Sequence, residues 1–171
     1  YQKLFNGFNE HNRRNIKKAT KNSLIISDTM PNDVVEFYIK HKGVNTQNVT
    51  SADYDRLKLL LNEAQKNGML LCKQISNEQG ECLTSAAFFK NNNRLIYQLG
   101  STNQLGRELR AMYHLFDHII ETHSEQNMVL DFEGSDIENV ARFFKNFGAL
   151  LVPYHRLIAN KLPWPFNLIK K

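Results

Sequence analysis

Residues 128–149, MVLDFEGSDIENVARFFKNFGA, constrain the fold more than any other stretch of the chain. The apolar residues 128–130 are typical of a buried strand, and the polar run at 131–136 interrupts that pattern. A helical period then follows at Ile137, Val140, Ala141 and Phe144. Gly148 is placed to end this helix as a left-handed cap. A strand, turn and helix in this order set strand-end carboxylates beside the free N–H groups of a helix start, where open α/β sheets hold their ligands.

The rest of the chain predicts a mixed α/β (α+β) domain. Capping residues and apolar residues at helical spacing predict helices over residues 9–21, 31–43, 50–68, 105–123 and 137–148. Period-two or apolar runs bounded by turn residues predict strands over residues 23–27, 69–76, 82–90, 94–99, 128–130 and 150–159. After the first helix the order is β-α-α-β-β-β-α-β-α-β. Short Asn- and Gly-rich turns join three consecutive strands, so the sheet is predicted to be mixed, mostly antiparallel, with helices on both faces.

The charge of the chain is concentrated at one end. The net charge is +5, and residues 1–22 alone hold six Lys or Arg and one Glu. A solvated helix face and an anion-binding face are both consistent with this basic segment. No apolar run approaches the roughly 18 residues of a membrane span, so we expect no span and a cytoplasmic protein. The two cysteines, Cys72 and Cys82, are expected to be free thiols in a reducing compartment.

Two segments resemble the FemAB-like branch of the GNAT acyltransferase superfamily. One is DFEGS from Asp131, followed by Phe144-Lys145 and Phe147-Gly148, which is similar to a DFxG…FKxxFG block. The other is RRNIKKA at residues 13–19, which is similar to a basic helix that leads into the first strand of that domain. The resemblance covers nearly the whole chain and implies the GNAT fold.

The domain organisation follows from this resemblance. We expect residues 1–171 to form a single GNAT-like domain, with 1–22 as a basic lead-in helix and 160–171 as a tail rich in Pro and Trp. Proteins of this branch carry two related domains, and the chain resembles the second. Since the sequence also begins at Tyr1, we expect it to be the C-terminal part of a longer, bacterial-type protein.

The resemblance implies an N-acyltransferase that moves an acyl or aminoacyl group from a carrier to an amine acceptor. The carrier would be acyl-CoA, such as acetyl-CoA, or a tRNA bearing an amino acid. A phosphate-binding loop between the fourth strand and the next helix would then use Gly100, Ser101, Thr102, Asn103, Gly106, Arg107 and Arg110. This loop departs from the usual pattern, because one glycine follows Gln104 and Arg107 stands where a small residue is expected. The alternative is therefore a non-catalytic GNAT-like module that binds RNA or another anionic partner through its basic helix.

The resemblance also implies catalytic roles. Lys145 would stabilise the oxyanion of acyl transfer, and Tyr154 would donate a proton. The residues themselves offer Glu133 and Asp131 as general bases, and alternation along a strand would put both on one face with Phe132 on the other. The substrate-binding candidates are Arg13, Arg14, Lys17, Asp131 and Ser135.

Simpler structural roles remain open for these residues. Lys145 could be an exposed helix lysine, Tyr154 a buried aromatic residue, and Asp131 a helix cap or the partner of an arginine. His114 and His118 have a spacing that a metal could use, but no third ligand accompanies them, so no metal site is predicted.

Overall fold

The computed structural model describes residues 1–43, 49–134 and 137–153. Its helices are α1 (Gln2–Gly7), α2 (Glu10–Ala19), α3 (Pro31–His41), α4 (Ser51–Lys66), α5 (Gln104–Glu108), α6 (Ala111–His123) and α7 (Glu138–Lys145). Its strands are β1 (Ile25–Asp28), β2 (Leu70–Ser76), β3 (Cys82–Asn91), β4 (Arg94–Thr102) and β5 (Val129–Asp131). The described strands form one sheet in the spatial order β1-β2-β3-β4-β5. The first three pairs are antiparallel and the β4–β5 pair is parallel.

Capping residues explain where the predicted helices begin. Asn9 caps α2, since its Oδ1 accepts the His11 N–H at 2.9 Å. Asp53 Oδ2 accepts the Thr50 N–H at 2.9 Å and completes a capping box on α4. Pro31 is the first residue of α3, where its missing N–H removes no helical bond. No helix in the described ranges combines the length and the apolar character that crossing a membrane requires.

Two hydrophobic layers hold the helices on the sheet. On one face, α3 and α4 pack Val34, Val35 and Leu61 against β2, β3 and β4. On the other face, α2, α6 and α7 enclose a cluster of aromatic rings centred on Phe116. The Phe116 ring lies 5.1–6.2 Å, centroid to centroid, from the rings of Phe88, Tyr97, Phe132, Phe143, Phe144 and Phe147. Helices on both faces of a mixed sheet confirm the predicted fold class.

Three sequence predictions about element boundaries were wrong. The helix predicted over 105–123 is broken into α5 and α6 by Arg110, whose φ is +64°. The apolar periodicity runs through this break because Leu105, Leu109 and Met112 all pack against the same core. Strand β4 continues to Thr102, beyond the predicted end at 99, and α1 was not predicted.

The predicted last strand, 150–159, does not form in residues 150–153, the part of it that the structure describes. Residues 154–159 lie outside the described residues, as does the 160–171 tail.

Both cysteines are free thiols, as predicted. Cys72 lies opposite Ala87 and Cys82 lies opposite Ser76, so the two side chains do not face each other across the β2–β3 pair. Burial is the main cause that raises the pKa of Cys72 to about 12 and that of Cys82 to about 11. Both thiols are therefore protonated at neutral pH and have a structural role.

Candidate active site

The parallel strands β4 and β5 separate after a short stretch of pairing. Only Arg94, Leu95 and Ile96 of β4 pair with β5, opposite Val129, Leu130 and Asp131. Immediately beyond, Gln98 bulges out of β4, because Tyr97 faces Phe88 while Leu99 faces Ala87. The remainder of β4, up to Thr102, has no β5 partner. A bulge next to a gap between parallel strands exposes backbone groups at a position where α/β sheets bind ligands.

Asp131 ends β5 and turns the chain away from β4. Its Oδ1 accepts the Glu133 N–H at 2.8 Å, and Glu133 adopts a left-handed conformation with φ +61°. Its Oδ2 lies 2.5 Å from Arg94 Nη1 on the neighbouring strand. The sequence left two structural roles open for Asp131, a helix cap or the partner of an arginine, and the structure shows the pairing with an arginine. Glu133 is exposed and lies outside β5, so the strand alternation assumed for it does not apply.

Phe132 and Phe144 connect the end of β5 to α7. Their rings stack with centroids 4.6 Å apart, and both belong to the cluster around Phe116. Since Phe144 is buried, the next residue, Lys145, points away from the core at the last position of α7 and is exposed. Within the described residues Lys145 makes no ion pair. A cation at a helix C-terminus is favoured by the helix dipole and is available to a ligand.

Residues just before the RRNIKKA segment contact the end of the block that begins at Asp131. The Asn9 N–H, at the start of α2, donates to the Asn146 carbonyl oxygen at 2.9 Å, directly after Lys145. The Phe8 and Phe147 rings pack edge to face with centroids 5.3 Å apart. The basic helix is thereby fixed beside the end of α7. Sequence spacing alone did not reveal this contact, because Asn9 and Asn146 are far apart along the chain.

The exposed basic residues of α2 share the side of the helix that faces away from its buried residues Asn12, Ile16 and Ala19. Arg14, Lys17 and Lys18 are exposed and Arg13 is half-buried. Beyond the end of α2, Asn22 Nδ2 lies 3.5 Å from the Leu109 carbonyl oxygen, next to Arg110. We call Arg13, Arg14, Lys17 and Lys18 the basic face. Arg14 is 3.8 Å from Glu10, an exposed pair that neutralises little of this charge.

The predicted phosphate loop has a different structure from the one assumed. Gly100, Ser101 and Thr102 belong to β4, and Asn103 caps α5 by accepting the Gly106 N–H at 2.7 Å. The Arg107 N–H is also occupied, since it donates to the Asn103 carbonyl at 3.1 Å. The Arg107 side chain folds back and donates to the Thr102 carbonyl at 2.8 Å.

A cavity of about 480 Å³ lies at the start of α5. Its lining residues are His41, Glu81, Asn103, Gln104, Leu105, Arg107 and Glu108. Burial, together with the charges of Lys40 and Arg107, lowers the pKa of His41, so its ring is neutral at neutral pH. A pyrophosphate here would meet the Glu81 and Glu108 carboxylates and would find the Gly106 N–H already bonded to Asn103 Oδ1. The described residues of this loop are therefore a poor match for the pyrophosphate of acyl-CoA.

Close packing explains the glycine at position 106. A Cβ there would overlap the Leu83 carbonyl oxygen and lie 2.8 Å from Thr102 Cγ2. We expect Gly106→Ala to lower the free energy of unfolding by about 2 kcal/mol, because the added atom forces α5 away from β3. Urea unfolding followed by circular dichroism measures this change. Gly7→Ala is the matched control, since a Cβ at Gly7 meets nothing within 4 Å, and equal effects of the two substitutions would contradict the explanation.

Some predicted site residues cannot be placed. Tyr154 and Ser135 lie outside the described residues, and their roles stay predictions. His114 and His118 both lie on α6, but no group of three His, Cys, Asp or Glu side chains that could hold a metal occurs in the described part of the chain. Arg94, the partner of Asp131, was missed, and nothing in the local sequence could have identified it.

The sheet order, the parallel β4–β5 pair and the helices on both faces define the GNAT acyltransferase fold, as the sequence predicted. No protein-family model matches the sequence, and no curated protein matches it. Among solved structures, FemX is similar over 86% of this chain, with a TM-score of 0.71 and 12% identity, and the chain spans 55% of the FemX chain. A predicted acetyltransferase from Clostridium acetobutylicum, with acetyl-CoA, is similar over 80% of this chain and 96% of its own, with a TM-score of 0.58 and 12% identity. An aminoglycoside 6'-N-acetyltransferase from Acinetobacter baumannii is similar over 82% of this chain and 99% of its own, with a TM-score of 0.57 and 5% identity.

Proposed function

We propose that this protein is an N-acyltransferase that moves an acyl or aminoacyl group from a carrier to an amine. The observation that carries the proposal is the separation of β4 from β5 at the Gln98 bulge, in a fold shared with FemX and with N-acetyltransferases. Backbone groups of β4 beyond the bulge would hold the extended part of the donor. The contact of α2 with the end of α7 supports the proposal, because it places the start of the basic helix next to the end of α7 that carries Lys145.

In the proposed reaction the acceptor, as a neutral amine, attacks the acyl carbonyl carbon. A C–N bond forms, the bond from the acyl carbon to the carrier oxygen or sulfur breaks, and the leaving group takes up a proton. The Lys145 ammonium stabilises the negative charge on the carbonyl oxygen. Glu133 accepts the proton that the amine loses, and its exposed position leaves room for an acceptor. Asp131 positions this turn, since it bonds both Arg94 and the Glu133 N–H.

We propose a tRNA-linked donor ahead of acyl-CoA. The α5 start fits a pyrophosphate poorly, whereas the basic face offers four cations for a phosphate backbone. Acetyl-CoA is the second donor to test, since the Clostridium acetobutylicum protein holds it in the same fold. We also propose that the chain is one domain of a longer protein, which its coverage of 55% of the FemX chain supports. We propose that this protein is cytoplasmic, which its two free thiols support.

Separate additions of aminoacyl-tRNA, deacylated tRNA, acetyl-CoA and an unrelated RNA test these proposals. A true donor raises the melting temperature, because ligand binding stabilises the folded state, and it also supports acyl transfer to an added amine. If aminoacyl-tRNA stabilises the protein and supports transfer, the tRNA-linked donor is supported. If acetyl-CoA does so instead, acyl-CoA is the donor and the tRNA-linked proposal is wrong. Tight RNA binding without transfer to any amine favours the second candidate function, a non-catalytic module, for which the occupied amides at the α5 start are the specific observation.

The basic face gives a separate prediction. Replacing Arg13, Arg14, Lys17 and Lys18 with alanine should weaken tRNA binding and make it less dependent on salt. The slope of the logarithm of the binding constant against the logarithm of the salt concentration should become shallower by about 0.7–0.9 for each phosphate that the variant no longer neutralises. Filter binding over a range of salt concentrations measures this slope. The matched control variant removes four cations from α3 and α4, on the other face of the sheet: Lys40, Arg56, Lys58 and Lys66. An unchanged slope in the first variant would show that the basic residues of α2 are solvated and do not bind the tRNA.

A further inference from the structure

A second cavity lies on the face of the sheet opposite Lys145. It has a volume of about 260 Å³ between α3 and the strands β2 and β3. Its lining residues are Asp33, Glu36, Phe37, Lys40, Gln74, Cys82 and Ser85. The proposed transfer reaction uses none of these residues, and no motif in the chain groups them. They come together because Gln74 and Ser85 are directly opposite each other in the β2–β3 pair, beneath α3.

One lining residue of this cavity, Ser85, has a buried hydroxyl group without a hydrogen-bond partner within the described residues, and so does its neighbour Ser101. Ser85 is 2% exposed and Ser101, its neighbour across the β3–β4 pair, is 5% exposed. Neither hydroxyl makes a hydrogen bond within the described residues. Leaving a buried hydroxyl unpaired costs about 1–3 kcal/mol, so a ligand in the cavity that bonded the Ser85 hydroxyl would gain stability from it. Rotation of Ser85 about χ1 between staggered positions can turn its Oγ toward a ligand.

The charges around the cavity select the kind of partner. Asp33 is exposed on the first turn of α3 and makes no ion pair within the described residues. Glu36 is already paired with Lys58 at 3.1 Å. Lys40 lies two helical turns from Asp33, about 10 Å along α3, so it does not neutralise that carboxylate. Asp33 is therefore the carboxylate of this cavity that has no ion-pair partner among the described residues.

The other lining groups are compatible with a cation that has an apolar body. The hydroxyl of Ser85 and the amide oxygen of Gln74 can accept hydrogen bonds from an ammonium group, while the ring of Phe37 offers an apolar surface. Cys82 is no competing nucleophile, because burial raises the pKa of its thiol to about 11.

We propose that this cavity binds a primary alkylammonium ion, with Asp33, Gln74 and Ser85 holding the ammonium group and Phe37 contacting the alkyl chain. The site is separate from Lys145, which lies on the other face of the sheet. Its existence does not depend on the transfer reaction, so it goes beyond the proposed function. Binding to this site can be measured without any acyl donor.

The test compares three probes of the same length on the intact chain: pentylammonium, 1-pentanol and pentanoate. ¹⁵N-resolved chemical-shift titration at neutral pH should show saturable shifts of the Ser85, Gln74 and α3 amides with pentylammonium. Its affinity should exceed that of the alcohol and of the acid at least tenfold, since only the ammonium pairs with Asp33. Equal affinity of pentylammonium and 1-pentanol would overturn the proposal, because the cavity would then be merely apolar. Tighter binding of pentanoate would overturn it by assigning the site to Lys40.

Three variants locate the binding. Asp33→Asn should weaken pentylammonium binding about tenfold, and Ser85→Ala should weaken it severalfold while leaving the melting temperature unchanged or higher, since the removed hydroxyl had no partner. Asp55→Asn removes the same charge from the exposed surface of α4 and should leave the affinity unchanged. Equal weakening by the Asp33 and Asp55 variants would overturn the proposal, because it would show diffuse attraction to a negative surface. Full affinity in the Ser85 variant would overturn the assignment of that hydroxyl.

Discussion

Replacing Phe116 with alanine is expected to lower the free energy of unfolding by about 4 kcal/mol. The Phe116 side chain is fully buried, and six aromatic rings from β3, β4, α7 and the segments after β5 and α7 surround it. Truncation removes its apolar area from the core and leaves a cavity that these rings cannot fill without giving up their edge-to-face packing. Urea unfolding monitored by circular dichroism provides the measurement.

Phe37→Ala is the matched control for this prediction. Phe37 is a half-buried ring on α3, and its one ring contact in the described residues is with His41, at 4.4 Å. Its truncation should lower the free energy of unfolding by about 1 kcal/mol, the typical effect of a single substitution. Similar decreases in the two variants would show that Phe116 is not the centre of the core on that face.

The aromatic cluster also explains why the element order was predictable from sequence. Phe116 and Phe144 lie in two helical segments whose period could be read from the sequence, whereas Phe132 lies in the interruption after the strand. Helix starts at Asn9, Pro31 and Thr50 were predictable for a similar reason, because a cap acts on the backbone within three residues. Caps and periods depend on residues that are close together in the sequence, so they can be predicted from it.

The features that shape the candidate site depend on contacts between distant segments. Gly100 and Ser101 are poor strand residues, yet they extend β4 because Ala86 and Ser85 stand opposite them. The spacing of apolar residues could not predict the left-handed conformation of Arg110, because the same spacing continues through the break between α5 and α6. The Gln98 bulge likewise shifts the register without a local signal such as glycine. The sequence therefore predicted the fold but not the end of β4 at Thr102 or the helix break at Arg110.

Asp131 shows the same limit at a single residue. Its type and position fitted a ligand group, a helix cap or half of an ion pair, and only the β4–β5 register brings Arg94 beside it. Lys145 differs, because the family resemblance singled it out and the fold leaves it exposed next to Asn146, which bonds the start of α2. The resemblance supplied a role for Lys145 that no pattern in the chain could supply. That role is open to a direct test.

Lys145→Ala should lower the rate of acyl transfer about 100-fold and change the free energy of unfolding by no more than about 0.5 kcal/mol. The large effect on rate is typical of removing a single oxyanion-stabilising group, and the small effect on stability follows from the exposure of Lys145 and its lack of an ion pair among the described residues. Turnover is measured with the donor that the binding experiments identify, at saturating donor and acceptor. Lys145→Arg, which keeps the charge, should recover part of the rate.

Phe144→Ala separates catalysis from folding. Its ring is 8% exposed and stacks on Phe132, so truncation should lower the free energy of unfolding by about 3 kcal/mol through loss of packing. Activity of this variant should then fall only in proportion to its folded fraction, because the ring makes no contact with the reacting groups. Substitution of Phe144 would thus change mainly the free energy of unfolding, and substitution of Lys145 would change mainly the rate of acyl transfer. A Lys145→Ala protein that folds normally and transfers at the unmodified rate would remove Lys145 from the site, and a role for the α2–α7 contact in acyl transfer would then have no chemical support.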